Sequence, residues 1–363
     1  MLDEESNLKV AYLLVLKNTQ YHSVYDKVIA QLETWRALGV DAKLFLVTPE
    51  ANEHPHVEVI APDSTIKLIR KLKHAVDCFN PDIVYHRMWV LSPLLVPLLL
   101  SDYKMLAEIN TDTDMEISLE KSRSIKGFAT YIYNALTKAF YQRRLAGAVS
   151  VTKELSGSVS TQQVAVIPNS IAVEGFNYRK SVDKLDSKLS VLFVGTPGLM
   201  WHGIDILNQL ARETKGRLEF HVVGMEQSVL SEPSENIHFY GYLPVEQYAA
   251  IAQSCSVGLG TLALHRKGMK EACPLKVREY LAAGLPVILP YEETAFLEHK
   301  PDWVLEIDSS KDRLDKETVE KVVEFTNLMH NVIIDRQEAA QYIGNVQLES
   351  KRVEFMQALA GVK

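Results

Sequence analysis

LKVAYLLVL (Leu8–Leu16), SVYDKVIAQLETWRAL (Ser23–Leu38) and AKLFLVT (Ala42–Thr48) follow one another near the start of the chain. The first and third are short, almost continuous apolar runs rich in Val and Leu, while the middle one repeats its apolar residues at a helical period. This reads as strand, helix, strand, and strands apolar on both faces with a helix between them belong to a parallel sheet covered on each side. The alternation continues with strands near Val57–Ile60, Asp82–Tyr85, Met105–Asn110, Ala148–Val151 and Val164–Ile167, and helices near Ser64–Phe79, Ser92–Ser101 and Phe128–Leu145. It pauses at the polar stretch Ala172–Lys188, which reads as a linker. It then restarts with strands at Leu189–Gly195, Leu218–Val223, Ile237–Tyr240, Val257–Gly260 and Pro286–Leu289, and helices at Gly203–Thr214, Val245–Ser254, Pro274–Ala283 and Thr294–His299. The expectation is an α/β protein of two doubly wound domains, residues 1–173 and 174–345. A helical tail follows, whose last segment, 346–363, crosses back to brace the first domain.

Across 363 residues, 47% apolar against 23% charged excludes disordered and fibrous classes. A net charge of −7 gives the whole molecule no reason to concentrate on nucleic acid. Cys78, Cys255 and Cys273 include no C-x-x-C pair, which argues against a disulfide scaffold and a thiolate zinc site and fits a reducing cytoplasm. The acidic opening Met1–Ser6 does not read as a secretory leader. Met88–Leu100, the most apolar stretch, contains Pro93 and Pro97 and falls short of the roughly 20 residues that cross a bilayer.

Ligands of doubly wound sheets sit at the carboxyl ends of the strands. The loop Lys17–Ser23 after the first strand has no glycine, so the dinucleotide fingerprint is missing, as are Walker and His-Glu-x-x-His sequences. The strongest signal is EACPLKVREYLAAGLPV, Glu271–Val287. Pro274 suits the first turn of a helix and Gly284 its end, so the backbone N–H groups of Ala272, Cys273 and Leu275 face an anion at a positive helix terminus. Glu271 precedes the helix and Glu279 lies more than a turn inside it. One carboxylate can then hold sugar hydroxyls near the phosphates while the other reaches a ribose. A plain amphipathic helix with solvated glutamates is the competing reading.

With its surroundings, this segment resembles the retaining family-four glycosyltransferases of the GT-B fold. Glu271 and Glu279 with Ala282–Val287 fall on that family's Glu-x7-Glu and Ala-Ala-Gly-x-Pro-Val donor motif. VGTPGLMWHGID (Val194–Asp205), NIHFYGYL (Asn236–Leu243) and VIPNS (Val166–Ser170) resemble its other landmarks. The resemblance implies two Rossmann-like domains facing a cleft. It also implies transfer of a sugar from a nucleotide-diphosphate sugar to an acceptor hydroxyl, hexosyltransferase-like and with retention, in polysaccharide, lipopolysaccharide or other glycoconjugate synthesis. No permanently bound cofactor and no metal are expected. The donor contacts carried over are Gly195, Thr196, His202, Gly203, Tyr240, Gly241, Cys273, Pro274, Leu275, Lys276 and Glu279. Thr196 and His202 stand where the family often has Arg and Lys, and Lys276 is the candidate for the missing positive charge on the diphosphate. Glu271, His86 and Asn110 are the candidate catalytic groups, and Glu108, Arg87 and His22 the acceptor-side ones. His86 is expected to look toward the ligand from a strand end. The alternatives are a nucleotide-sugar 2-epimerase of the same fold and a noncatalytic two-lobed sugar-binding protein.

Three further stretches stand out. Asp112-Thr113-Asp114 spells D-x-D but reads as a polar loop. His265, Arg266, Lys267 and Lys270 read as a mobile basic rim. Lys121–Lys153 has seven Lys or Arg, no Asp or Glu, and interleaved aromatics. It reads either as a packed helix with its aromatics in the core or as a peripheral contact with an anionic membrane, at its inner cytoplasmic face, where a glycan or lipid-linked acceptor would be met.

Overall fold

The computed structural model describes residues 8–17, 19, 23–122, 124–185 and 187–362. His22 lies outside them. In chain order the first elements are β1 (Lys9–Val15), α1 (Ser23–Ala37), β2 (Asp41–Val47), β3 (Val57–Ile60), α2 (Thr65–Phe79), β4 (Ile83–Arg87) and α3 (Val96–Leu99). β5 (Lys104–Ile109), α4 (Thr113–Glu120), α5 (Ile125–Arg143), β6 (Gly147–Ser150), α6 (Lys153–Ser156) and β7 (Val164–Val166) follow. After these come β8 (Leu189–Val194), α7 (Ile204–Glu213), β9 (Leu218–Val223), β10 (Ile237–Phe239), α8 (Val245–Ser254) and β11 (Val257–Leu259). β12 (Glu271–Ala272), α9 (Leu275–Ala282), β13 (Val287–Leu289), β14 (Glu292–Glu293) and β15 (Val304–Glu306) lead to helices α10 (Lys316–Leu328), α11 (Arg336–Ile343) and α12 (Asn345–Ala360).

The chain divides into two compact units, 1–168 with 345–363, and 169–344. The first holds a seven-stranded parallel sheet in the order β3-β2-β1-β4-β5-β6-β7. Its core gathers Tyr12 of β1, Trp35 of α1 and Tyr85 of β4, with ring centroids 4.9–5.8 Å apart. Helix α12, contributed from the far end of the chain, covers this cluster with Leu348, Val353 and Met356. It also aims the Glu349 carboxylate at the Trp35 indole, which donates to it at 2.7 Å.

The second unit holds a six-stranded parallel sheet, β10-β9-β8-β11-β13-β15, and the small pair β12 and β14. The stretch read as a linker is packed into this unit. Lys180 is buried, and its ammonium donates to the carbonyls of Ser256 at 2.6 Å and Met329 at 2.9 Å. Two helices read from periodicity are shorter in the structure. Pro93 and Pro97 leave only Val96–Leu99 of Ser92–Ser101, and Thr294–His299 shrinks to a single turn, Thr294–Phe296.

Candidate functional site

The second sheet changes direction between β8 and β11: the chain runs from β8 out to β10 on one side and from β11 out to β15 on the other. At such a switch point the loops after neighbouring strands part and leave room at their carboxyl ends. Glycine follows several of these strands. Gly195 follows β8, and a Cβ there would stand 2.7 Å from both the His202 Nδ1 and the end of Met225. Gly224 follows β9 with φ 89°, and a Cβ would collide with the Gly195 carbonyl. Gly241, two residues past β10 with φ 61°, takes the backbone N–H of Gly224 on its carbonyl at 2.6 Å, and a Cβ would overlap the Glu226 carboxylate. Side chains are therefore excluded where three strand ends meet, and the backbone there closes on itself, with the N–H groups of Gly195 and Gly241 on the carbonyls of Val223 and Met225, both at 3.0 Å.

The loops after β8 and β11 are pinned to each other. Leu262 and Ala263 donate their N–H groups to the carbonyls of His202 and Trp201 at 3.2 and 3.1 Å. Gly203 caps α7 in a left-handed conformation, φ 67°, where a Cβ would press on Leu262 and Ala263. Arg266 forks onto Asp205 at 2.8 and 2.5 Å and also reaches Asp312, while Lys267 lies buried 4.6 Å from the Trp201 ring centroid. Residues 265–267, read as a mobile rim, are thus built into the loop pair.

Helix α9 starts at Leu275, with Pro274 as a cap residue that supplies no side-chain hydrogen bond. The turn into it is fixed from behind. Buried Arg278 donates to the Asn169 carbonyl at 2.7 Å, to Glu293 at 2.9 Å and to the Cys273 sulfur at 2.7 Å, and Asn169 donates its side-chain amide to the Cys273 carbonyl at 2.6 Å. The Cys273 thiol therefore serves the turn and faces inward, and what it can offer a ligand is backbone. Lys276 points forward from the first turn. Its ammonium donates to the Val194 carbonyl, one residue before Gly195, at 3.0 Å, and stands 4.1 Å from the Phe193 ring centroid. Burial draws its pKa down to about 7. Burial likewise lowers His202 to about 3, with the Lys276 charge adding to the effect, so this imidazole is neutral. Its Nδ1 is buried and unpaired among the described residues, and it faces the Gly195 backbone.

Glu271 is buried on β12 and accepts the Thr294 hydroxyl at 2.6 Å. Glu279, partly buried on α9, lies near enough to Tyr178, Tyr248 and Tyr280 for its charge to raise their phenol pKa values, secondary to burial itself. Thr196 is exposed just beyond Gly195. Tyr240 stacks on His221, ring centroids 5.8 Å apart, and shares a 2.8 Å hydrogen bond with its Nδ1. Gly195, His202, Gly203 and Lys276 are thus joined around the end of β8. Gly224 escaped the sequence reading, although a glycine directly after the apolar run Leu218–Val223 was the available signal.

The first unit treats its candidates differently. Glu108 was expected to face an acceptor, but it is fully buried. Its carboxylate takes the Lys27 ammonium at 2.5 Å, the Tyr85 hydroxyl at 2.7 Å and the Asn110 amide at 2.8 Å, with Gln31 at 3.4 Å and Arg87 and Arg352 at 3.9 and 4.0 Å. Burial alone would raise its pKa, but the surrounding cations hold it well below the usual carboxylate range. Glu108 is an internal counter-ion, and Arg87 and Asn110 are the partly exposed groups it fixes at the strand ends.

His86 is also corrected. It is 2% exposed, and its Nε2 meets the Tyr141 hydroxyl of α5 at 2.6 Å, because Tyr85 turns to the α1 side of the sheet and alternation sends its neighbour to the other. Burial lowers its pKa to about 4, so the folded chain holds it neutral. The sign of the pH effect follows: the stability is complete above the unfolded value of about 6.5 and drains away as pH falls toward 4. His86→Ala should lose about 2–4 kcal/mol through a cavity and an unpaired tyrosine, and should flatten the melting temperature between pH 6.5 and 4. Melting curves of the pair across that range check this.

Asp112 accepts the Met115 N–H as the cap of α4, and Asp114 is engaged by Asn134 and Lys138. Among the described residues no group of three or more His, Cys, Asp or Glu side chains is placed to hold a metal ion.

No protein-family model matches the chain, and no curated protein matches it in sequence. Solved structures do match in fold. A glycosyltransferase from Rickettsia africae ESF-5 aligns over 98% of this chain and 99% of its own, with TM-score 0.67 and 10% identity. AviGT4, a glycosyltransferase involved in avilamycin A biosynthesis, aligns over 98% of each chain with TM-score 0.63 and 14% identity. An α-glucosyltransferase in complex with UDP-glucose and DNA containing an abasic site aligns over 97% of this chain and all of its own, with TM-score 0.63 and 12% identity. The fold is therefore α/β, with two doubly wound parallel sheets, of the GT-B kind.

Proposed function

We propose that this protein is a glycosyltransferase that moves a sugar from a nucleoside-diphosphate sugar to an acceptor hydroxyl, with the donor held by the second unit. One observation carries the reading. The start of α9, which has no side-chain cap, and the Lys276 ammonium converge on the carboxyl end of β8, where Gly195, Gly224 and Gly241 keep side chains away. A helix N-terminus and one cation match the charge of a diphosphate leaving group, and they stabilise that charge as it develops. Positive help of this kind needs no metal ion, and none is part of the proposal. Glu271 positions hydroxyls of the transferring sugar, Glu279 holds the ribose, and retention at the anomeric carbon is the expected stereochemistry. Arg87 and Asn110 in the first unit are the proposed acceptor-side groups. The solved neighbours that carry UDP or UDP-glucose support the choice of a nucleotide sugar as co-substrate.

Two substitutions separate the carboxylates. Glu279→Ala should weaken nucleotide affinity by about 1–3 kcal/mol, since it leaves polar groups unpaired. Glu271→Gln should lower turnover with little change in that affinity, as its partners must be oriented only when transfer occurs. Calorimetry and rate measurement on the same two variants decide the assignment, and unchanged affinity in Glu279→Ala removes it from the site. The reading itself is tested by incubation with UDP-, GDP- and ADP-sugars. Release of nucleoside diphosphate with an acceptor present supports transfer, while isomerisation of the donor without one supports an epimerase.

A further inference from the structure

Helix α5 carries its polarity the wrong way round for a surface helix. The face it turns to the rest of the first unit is mostly polar: Thr130, Asn134, Thr137 and Lys138 are half-buried, between the buried Gly127 and Tyr141. Asn134 and Lys138 engage Asp114 of α4, and Tyr141 meets His86. The outward face is apolar. Ile125, Phe128, Ile132, Leu136 and Phe140 recur every three or four residues, which places them in one stripe, and all are exposed, Ile125 at 91%, Leu136 at 78% and Phe128 at 56%. The aromatics at 128 and 140 are therefore not core residues, contrary to the packed-helix reading.

Charge separates the possible occupants of this stripe. Helix α5 contains no acidic residue, and Lys126, Arg143 and Arg144 sit at its two ends, in a protein whose net charge is −7. The neighbouring apolar stretch is tethered alongside, with the Tyr133 hydroxyl on the Leu91 carbonyl at 3.1 Å and Arg144 on the Leu99 carbonyl at 3.4 Å, and Leu100 is exposed beside it. A second copy of the same face would bring like charges together. Nucleic acid would meet the cations and leave the stripe in water. An anionic bilayer satisfies both, taking the stripe among its acyl chains and the cations on its phosphates.

We propose that α5 is a membrane-docking helix that lies flat in the interface of an anionic bilayer. It lies on the surface and does not span, since no described helix is long and apolar enough to cross.

The test is co-sedimentation of the full chain with vesicles of phosphatidylglycerol and phosphatidylcholine, or of phosphatidylcholine alone, at low and high salt, without any nucleotide sugar. The wild type should sediment with the anionic vesicles at low salt and not with the zwitterionic ones. Ile132→Glu with Leu136→Glu, and separately Arg143→Glu with Arg144→Glu, should each reduce binding about tenfold or more. Exposed positions tolerate the first pair, so its circular dichroism and melting temperature should match the wild type. Three results overturn the proposal: wild-type protein that stays in solution or sediments equally with every variant; a wild-type dimer that Leu136→Glu turns into a monomer; and binding to duplex DNA that the Arg pair abolishes while the Ile132 and Leu136 pair leaves it intact.

Discussion

Glu108→Ala should destabilise the first unit by about 3–5 kcal/mol, the cost of removing one partner from a buried ion network. The side chain is fully buried, and its loss takes the carboxylate partner from the Lys27 ammonium, the Tyr85 hydroxyl and the Asn110 amide together, while Arg352 keeps Glu349 at 2.5 Å. The wild type should echo this in acid. The folded carboxyl titrates well below its unfolded value, so its contribution is complete above about pH 4.3 and is lost as pH falls below that. Denaturant unfolding at neutral pH and at pH 3 measures both effects. Equal stability of Glu108→Ala and wild type would show that Glu108 is not the centre of the network. Nucleotide affinity, read on the fraction that remains folded, should be unchanged, because the proposed donor groups all belong to the other unit.

Lys276→Met should weaken nucleoside diphosphate binding by about 1.5–3 kcal/mol, the range for a charged hydrogen bond. Its pH signature is more telling than its size. Burial leaves the free ammonium with a pKa of about 7, and a diphosphate placed beside it raises that value, so binding takes up a proton. Affinity should be level below pH 7 and fall up to about tenfold per unit above it until the pKa of the complex is reached. Lys276→Met should bind weakly with no such slope. Calorimetry at several pH values, repeated in buffers of different ionisation enthalpy, counts the proton directly, and a wild-type profile as flat as the variant's would detach Lys276 from the diphosphate.

Much of the fold lay open in the sequence because parallel strands buried on both faces announce themselves as apolar runs: Leu218–Val223 and Val57–Ile60 begin and end where the runs do. Short or edge elements were not legible. β12 and β14 have two residues each, and β15 shows only Val304, Leu305 and Glu306. Helix α4 was hidden because its cap, Asp112, sits in a D-x-D that drew a different reading. The donor-side candidates were readable because helix starts and strand-end glycines leave local signatures, as at Pro274 and Gly195. The first unit's candidates were not, for a physical reason in each case. The environment of Glu108 depends on Arg352 and Glu349, which α12 returns from more than two hundred residues away. His86 lies in a strand covered on both sides, so alternation alone cannot say which side is water. The period of α5 revealed an apolar stripe but not that the stripe faces out.

The central claim is that the carboxyl end of β8 holds the diphosphate of a nucleotide sugar, and calorimetric titration with UDP, GDP and ADP tests it most directly, on the wild type and on Gly195→Val. Valine at 195 would place atoms where the His202 imidazole and Met225 already stand, displacing the loop that carries His202 at the end of β8. Binding of one of the three nucleotides by the wild type, lost in a Gly195→Val protein that still melts cooperatively, is the predicted result. A wild type that binds none of them, or a folded Gly195→Val that binds as well as the wild type, would contradict the account.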